Sequence, residues 1–381
     1  MSAAETTETT QPADRHETSR WVVLVLVCIA QFMVILDATI VNVALPSIER
    51  SLHFSAADLQ WVINSYTLTF GGLLLLGGRA ADLVGRRRLF VAGTLLFTAA
   101  SLVNGLSSSS EMLIVARGVQ GIGAALVSPA ALSIITTTFP EGAERQKALG
   151  VWSAIAAGGG AFGLLLGGIL TDQLSWEWIF FVNVPIGLAA AAFSWRLIPE
   201  SRIVGRSGFD FAGATTVTAG LIVLGYAIVK AQTYGWGSAK TLGLAAVALV
   251  LLAGFVAIEH RSDAPLMRLS IFRTRSLTGA NLVLLVVAGG MFALFFFASL
   301  YVQQVLGYNP LKAGLAFLPV SIMIGIGAGF SQQMVRRVGV RPMAIAGMTI
   351  AAAGLIVLSR VPVDGSYLTD LLPGLLLMAF G

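Results

Sequence analysis

The sequence predicts an all-α membrane protein, on three observations. Apolar residues make up 56% of the 381 and charged residues only 11%, against roughly 25% charged in a soluble domain. Long charge-free runs follow one another along the chain. Those runs are continuously apolar, without the period-two alternation of a lipid-facing barrel strand. At a mean hydropathy of +0.84 the chain lacks the polar groups to cover a water-facing surface. A secreted disulfide scaffold, a disordered tail protein and an ordinary cytosolic enzyme are thereby excluded. Cys28 is the one cysteine, which leaves no internal disulfide and no cysteine metal cluster.

The elements follow in order. Residues 1–20 are Thr- and Glu-rich without an apolar run and are expected to form a disordered arm. The run 21–48 holds one charge, Asp37, and is too long for a cleaved signal peptide. Charge-free runs then cover 59–78, 89–110, 118–140, 148–171, 178–195, 211–229, 241–258, 276–311, 313–335 and 342–359. A helix needs about 20 apolar residues to cross the hydrocarbon core, so these are eleven spans. A twelfth run, 371–381, is too short to cross, and the chain is expected to stop inside its twelfth helix.

Lys and Arg set the orientation. With the N-terminus in the cytoplasm, inside segments hold 18 Lys and Arg residues and outside ends hold 6. The opposite orientation inverts that bias. The net charge of +5 therefore reads as a topogenic signal, and nucleic acid is excluded as a partner.

A basic loop follows the second span: Gly78-Arg79-Ala80-Ala81-Asp82-Leu83-Val84-Gly85-Arg86-Arg87-Arg88. A related loop, Val335-Arg336-Arg337-Val338-Gly339-Val340-Arg341-Pro342, follows the tenth. Aligning Gly85 with Gly339 pairs Val84 with Val338 and Arg87 with Arg341, whereas Arg336 stands where Asp82 does. Such repetition marks transporters built from two similar halves; the other reading is that any short cytoplasmic loop carries Gly and Arg. Gly78 permits close helix approach and Gly85 a tight turn. Asp82 can accept hydrogen bonds from the arginines or cap a helix N-terminus.

The first loop resembles the Gly-x-x-x-Asp-x-x-Gly-Arg-Arg pattern between helices two and three of the major facilitator superfamily. Further segments narrow the resemblance. They are Leu36-Asp37-Ala38-Thr39 onward to Ile48, Arg117-Gly118-Val119-Gln120-Gly121, and the glycines Gly159, Gly163, Gly167 and Gly168. Trp176 to Gly187 and Asn309-Pro310-Leu311-Lys312-Ala313-Gly314 complete the set. As an ordered set they resemble the fourteen-span drug:proton antiporter branch, the EmrB/QacA type. Leu164 stands where that branch's fifth-helix motif usually has proline.

The resemblance implies two pseudo-symmetric helical bundles with two extra connecting helices. The first bundle would cover 21–198, a linker with the extra helices 199–260, and an incomplete second bundle 261–381. It implies a bacterial cytoplasmic (inner) membrane location and a monomer in the lipid bilayer. It also implies efflux of a small amphipathic molecule in exchange for protons, with the proton gradient in place of any cofactor. Gly78, Asp82, Gly85, Arg86 and Arg87 would then form a conformational lock, and Gly159, Gly163, Gly167 and Gly168 would seal one side of the cavity. Twenty arginines against four lysines, with abundant Ala and Gly, suggest a GC-rich genome, where such exporters often accompany antibiotic pathways.

Asp37 is the most informative single residue. A carboxylate inside a lipid span is costly and functional by default. Desolvation penalises its ionised form, which suits a group that binds and releases protons; a structural hydrogen-bonding role, for instance with Asn42, is the other reading. Arg117 at the head of the fourth run either tunes such a carboxylate or snorkels to the interface. For cargo, aromatic and neutral polar residues within spans are candidates: Asn42, Trp61, Asn64, Tyr66, Gln120, Asn281, Phe296 and Gln303.

Other functions find little support. Gly158-x-Gly160-x-x-Gly163 has the spacing of a dinucleotide loop but lies inside a membrane run. No Walker, His-Glu-x-x-His or Gly-x-Ser-x-Gly pattern occurs, and His16, His53 and His260 fall in loops or at ends. An intramembrane enzyme is therefore disfavoured. An exporter of one endogenous metabolite and a non-transporting sensor on the same fold remain the rivals.

Overall fold

A computed structural model describes residues 14–202, 210–262, 265–267 and 269–381. Twelve principal helices are numbered here in chain order: α1 (Asp14–Leu52), α2 (Trp61–Val84), α3 (Arg86–Gly105), α4 (Ser110–Thr138), α5 (Ala143–Gln173) and α6 (Asn183–Leu197). The chain continues with α7 (Phe211–Tyr234), α8 (Ala239–Arg261), α9 (Arg275–Leu300), α10 (Leu318–Val338), α11 (Val340–Leu358) and α12 (Leu372–Phe380). Among the described residues ten helices are long and apolar enough to cross a membrane. The 31-residue α5 stands at the predicted fifth span. No strand occurs among the described residues.

The helices overrun the charge-free runs because their end turns carry charges that reach water. One correction concerns the arm: residues 14–20 are helical, and 1–13 lie outside the described residues. Helix propagation costs little once a nucleus exists, and α1 is fastened near its start. Arg20 pairs with Glu144 at 3.6 Å, and the Trp21 ring meets Phe139 at 5.3 Å. A second difference lies in the run 276–311. It divides into α9, a π-helical turn Tyr301–Val305 and a short helix Pro310–Ala316, started by the Asn309 cap and Pro310. The sixth span also divides, into Trp178–Phe181 and α6. Arg206 and Arg268, counted above for orientation, lie outside the described residues.

The two related loops share their backbone. Gly85 joins α2 to α3 at φ +120, and Gly339 joins α10 to α11 at φ +88. Both values favour glycine, so the sequence repeat corresponds to one turn used twice.

Small residues bring the first six helices together. A Cβ on Gly121 of α4 would collide with the Thr69 hydroxyl and the Tyr66 carbonyl of α2. The Thr69 hydroxyl donates across the same junction to the Gly118 carbonyl at 2.8 Å. The α7–α8 pair leans on α2, with Gly72 against Ile222, Gly225 against Leu68, and Trp61 5.6 Å from the Tyr226 ring.

Overpacking a close helix junction costs about 1–3 kcal/mol. Gly121→Leu is therefore expected to lower the melting temperature of the detergent-purified chain. Gly150→Ala, whose Cβ meets nothing within 4 Å, is expected to leave it unchanged or raise it. Equal melting of the two variants would contradict the packing described.

Candidate functional site

Five elements of the first half meet at one polar cluster. Asp37 on α1 and Arg117 on α4 are 0% and 1% exposed, and their side chains pair at 2.5 Å. The other Asp37 oxygen accepts from the Gln120 amide at 2.8 Å and from the Asn183 amide at 3.1 Å. Arg117 also donates to the Gln120 carbonyl oxygen at 2.7 Å and to the Val62 carbonyl of α2 at 2.9 Å. Its guanidinium lies 4.4 Å from the centre of the Tyr66 ring, a cation–π geometry. Ser101 and Asn104 of α3 close the network, Ser101 accepting from Gln120 and Asn183 and Asn104 donating to Gln120. In a dry interior a charge pair persists only when both partners are hydrogen-bonded, and here α2, α3, α4 and α6 all contribute.

The register follows from helix geometry. Arg117 and Gln120, three residues apart, share a face of α4, and that face meets Asp37. The charge-free run started this span at residue 118, but Ser109 caps α4 nine residues earlier by accepting from the Met112 amide. Arg117 thus sits two turns inside the helix. The interfacial, snorkelling reading of Arg117 is corrected: its partner is Asp37.

The basic loop forms a second cluster at one end of the bundle. Asp82 accepts from Arg86 at 3.0 Å, one turn on. Glu200, after α6, caps α3 by accepting from the backbone amides of Arg87 and Arg88, both at 3.2 Å. It also pairs with both guanidinium groups at 3.7 Å. Arg86 donates its backbone amide to the Ser201 carbonyl. Capping, which Asp82 could have done, falls to Glu200.

A third feature, toward the opposite end, combines a close contact inside the first half with one between the halves. Gly163 and Gly167 of α5 abut Thr39 and Ile40 of α1, and Gly159 abuts Ile35. Gly168 abuts the Pro310 backbone, and Gly314 the carbonyl of Leu164. Leu164 is buried with Val43, Val302, Ala313 and Phe317, and α5 runs through it unbroken. The Ser299 hydroxyl of α9 reaches the Asn42 carbonyl at 3.4 Å and accepts from Gln303 at 3.0 Å.

Residues 27–381 match the Major Facilitator Superfamily model. The chain belongs to the major facilitator superfamily. Among its relatives, the puromycin resistance protein pur8 of Streptomyces alboniger is 41% identical over 366 residues, 95% of this chain and 72% of that protein. The cephamycin export protein CmcT of Amycolatopsis lactamdurans is 41% identical over 362 residues, 94% of this chain and 74% of that protein. The multidrug resistance protein Stp of Mycobacterium tuberculosis is 37% identical over 327 residues, 86% and 61% of the two chains. Membership of this superfamily, with many membrane-spanning helices, makes the chain a multi-pass membrane transporter.

Within this facilitator fold the eight cargo candidates scatter. Tyr66 and Gln120 are enclosed in the Asp37 cluster. Asn42 and Gln303 meet through Ser299 at the seam between halves, and Phe296 packs partly against the cluster of Leu36 and Ile40. Trp61 is taken up by Tyr226 and by Lys230, whose ammonium is 5.5 Å from its ring. Asn64 is half-buried on α2, and Asn281 is exposed on α9, bonded to its own helix at Leu277. The sequence reading gave no role to Ser101, Asn104, Asn183, Glu200 or Ser299. Only Asn183 lay in a segment that the resemblance had singled out.

Stranding one member of a buried pair costs about 3–5 kcal/mol. Arg117→Met is expected to lower thermal stability by more than the double variant Asp37→Asn with Arg117→Met, which removes both charges. Melting curves in detergent check this; additive losses would show that the two residues do not act as a pair.

Proposed function

We propose that the chain exports hydrophobic or amphipathic drugs or antibiotics from a bacterial cell across the cytoplasmic membrane, in exchange for protons. The observation that carries the proposal is the enclosed Asp37–Arg117 pair, tied to α2, α3 and α6 in the same half. A proton on Asp37 cancels the charge that holds Arg117, so one protonation step loosens links to several helices together. The seam at Gly168 and Gly314 supports alternating access, because glycine contacts can part and re-form between rigid halves. Gly78, Asp82, Gly85, Arg86 and Arg87 act in this reading as the lock at the other end.

The names of three relatives, a puromycin resistance protein, a cephamycin export protein and a multidrug resistance protein, support drug efflux. The α7–α8 pair between the halves supports the fourteen-span drug:proton antiporter branch. The bias of Lys and Arg supports a cytoplasmic N-terminus. In this reading a monomer works without a cofactor.

The test is dye and drug export from an efflux-deficient host under an imposed proton gradient, with Asp37→Asn compared at matched membrane levels. Export is expected to stop with an uncoupler and to fall at least tenfold in the variant. Export that survives collapse of the gradient would overturn proton coupling. Loss of one antibiotic's export with no dye moved would favour a dedicated metabolite exporter.

A further inference from the structure

The α1–α5 pair is tight at one end and open at the other. Where Gly159 abuts Phe32 and Ile35 the helices touch, and the Phe162 ring lies 5.7 Å from Phe32. Toward the basic-loop end they part, leaving a groove of about 360 Å³ lined by Trp21, Cys28, Ile29, Phe32, Val151 and Ile155 among others. Val25, Ile29 and Val151 on its flanks are 55%, 39% and 38% exposed. Every side chain named here is apolar or aromatic except the buried thiol of Cys28. From Trp21 to Phe32 the groove runs eleven residues along α1, roughly 16 Å. That is about half of a hydrocarbon core of roughly 30 Å, the depth of one leaflet.

The groove's mouth carries the opposite chemistry. Lys147 is exposed, with its ammonium 5.0 Å from the Trp21 ring centre. Its basic neighbours are already matched, Arg20 with Glu144 at 3.6 Å and Arg145 with Glu141 at 3.1 Å. Among the described residues Lys147 has no carboxylate partner. A tryptophan and an exposed lysine, without a carboxylate partner among the described residues, at the end of an apolar slot one leaflet deep match a headgroup level above an acyl chain.

We propose that this groove is a binding site for one anionic phospholipid, with an acyl chain between α1 and α5 and its phosphate beside Lys147. The lipid fills the splay that the Gly159 contact leaves open, and so holds the two helices in the arrangement seen here. The site is separate from the Asp37 cluster, and its test does not depend on transport.

The experiment is native mass spectrometry of the detergent-purified chain, given equal amounts of phosphatidylglycerol and phosphatidylethanolamine with identical acyl chains. Wild type is expected to retain one phosphatidylglycerol at least fivefold more often than phosphatidylethanolamine. Lys147→Gln is expected to abolish that preference while phosphatidylethanolamine retention stays the same. Filling the groove with Val25→Trp and Val151→Trp is expected to remove retention of both lipids. If the filled variant is not monodisperse, the Lys147→Gln comparison decides alone. Equal retention of the two lipids by wild type, or an unchanged preference in Lys147→Gln, would overturn the assignment. So would a hydrophobic cationic dye displacing phosphatidylglycerol from wild type but not binding the filled variant, which would give the groove to cargo.

Discussion

A charge cannot rest in lipid alone, and most of the first half is arranged around that constraint. Asp37 and Arg117 face each other where no water reaches. The residual capacity of the carboxylate and guanidinium is spread over Gln120, Asn183, Val62 and Tyr66. Those groups come from α2, α4 and α6, so the one pair ties three helices to α1. Apolar contacts in a bilayer give little preference for one neighbour over another. Specific positioning therefore falls to a few polar groups, and here they converge on one carboxylate.

The glycines supply what the polar cluster cannot. Ridges of larger side chains would keep α1 and α5 apart, but Gly163 and Gly167 let the Thr39 and Ile40 faces come to backbone distance. The same device on Gly168 and Gly314 brings the two halves into contact without a single ion pair between those residues. Charge organises the inside of one half, while glycine contacts act both inside that half and, at Gly168 and Gly314, between the halves. Those are different kinds of adhesion: the first is costly to break, the second cheap.

Several of these features were legible in the sequence, for physical reasons. Asp37 and Arg117 stand out because a charge in or beside an apolar run must have a use. Gly85 and Gly339 stand out because a short basic loop needs a residue free to turn, and both have positive φ. Ser101, Asn104 and Asn183 were not legible, since a hydroxyl or amide in a span is ordinary until another helix is known to face it. Glu200 was not legible either, because its partners lie more than a hundred residues earlier. The break after Leu300 escaped a reading based on charge because nothing charged marks it. Tyr301–Val305 instead widens into a π turn before the Asn309–Pro310 start.

The lean of α7 and α8 on α2 has a mechanical consequence. Gly72, Leu68 and Trp61 fasten α7 to the first half by interlocked surfaces rather than by a loop. Any rotation of that half must carry the pair with it as an outrigger. Eight helices then displace lipid where six would otherwise move. In the alternating-access cycle proposed above, the work of the stroke acquires a viscous share set by the fluidity of the surrounding bilayer, and the rate of that cycle becomes a property of the membrane as well as of the protein.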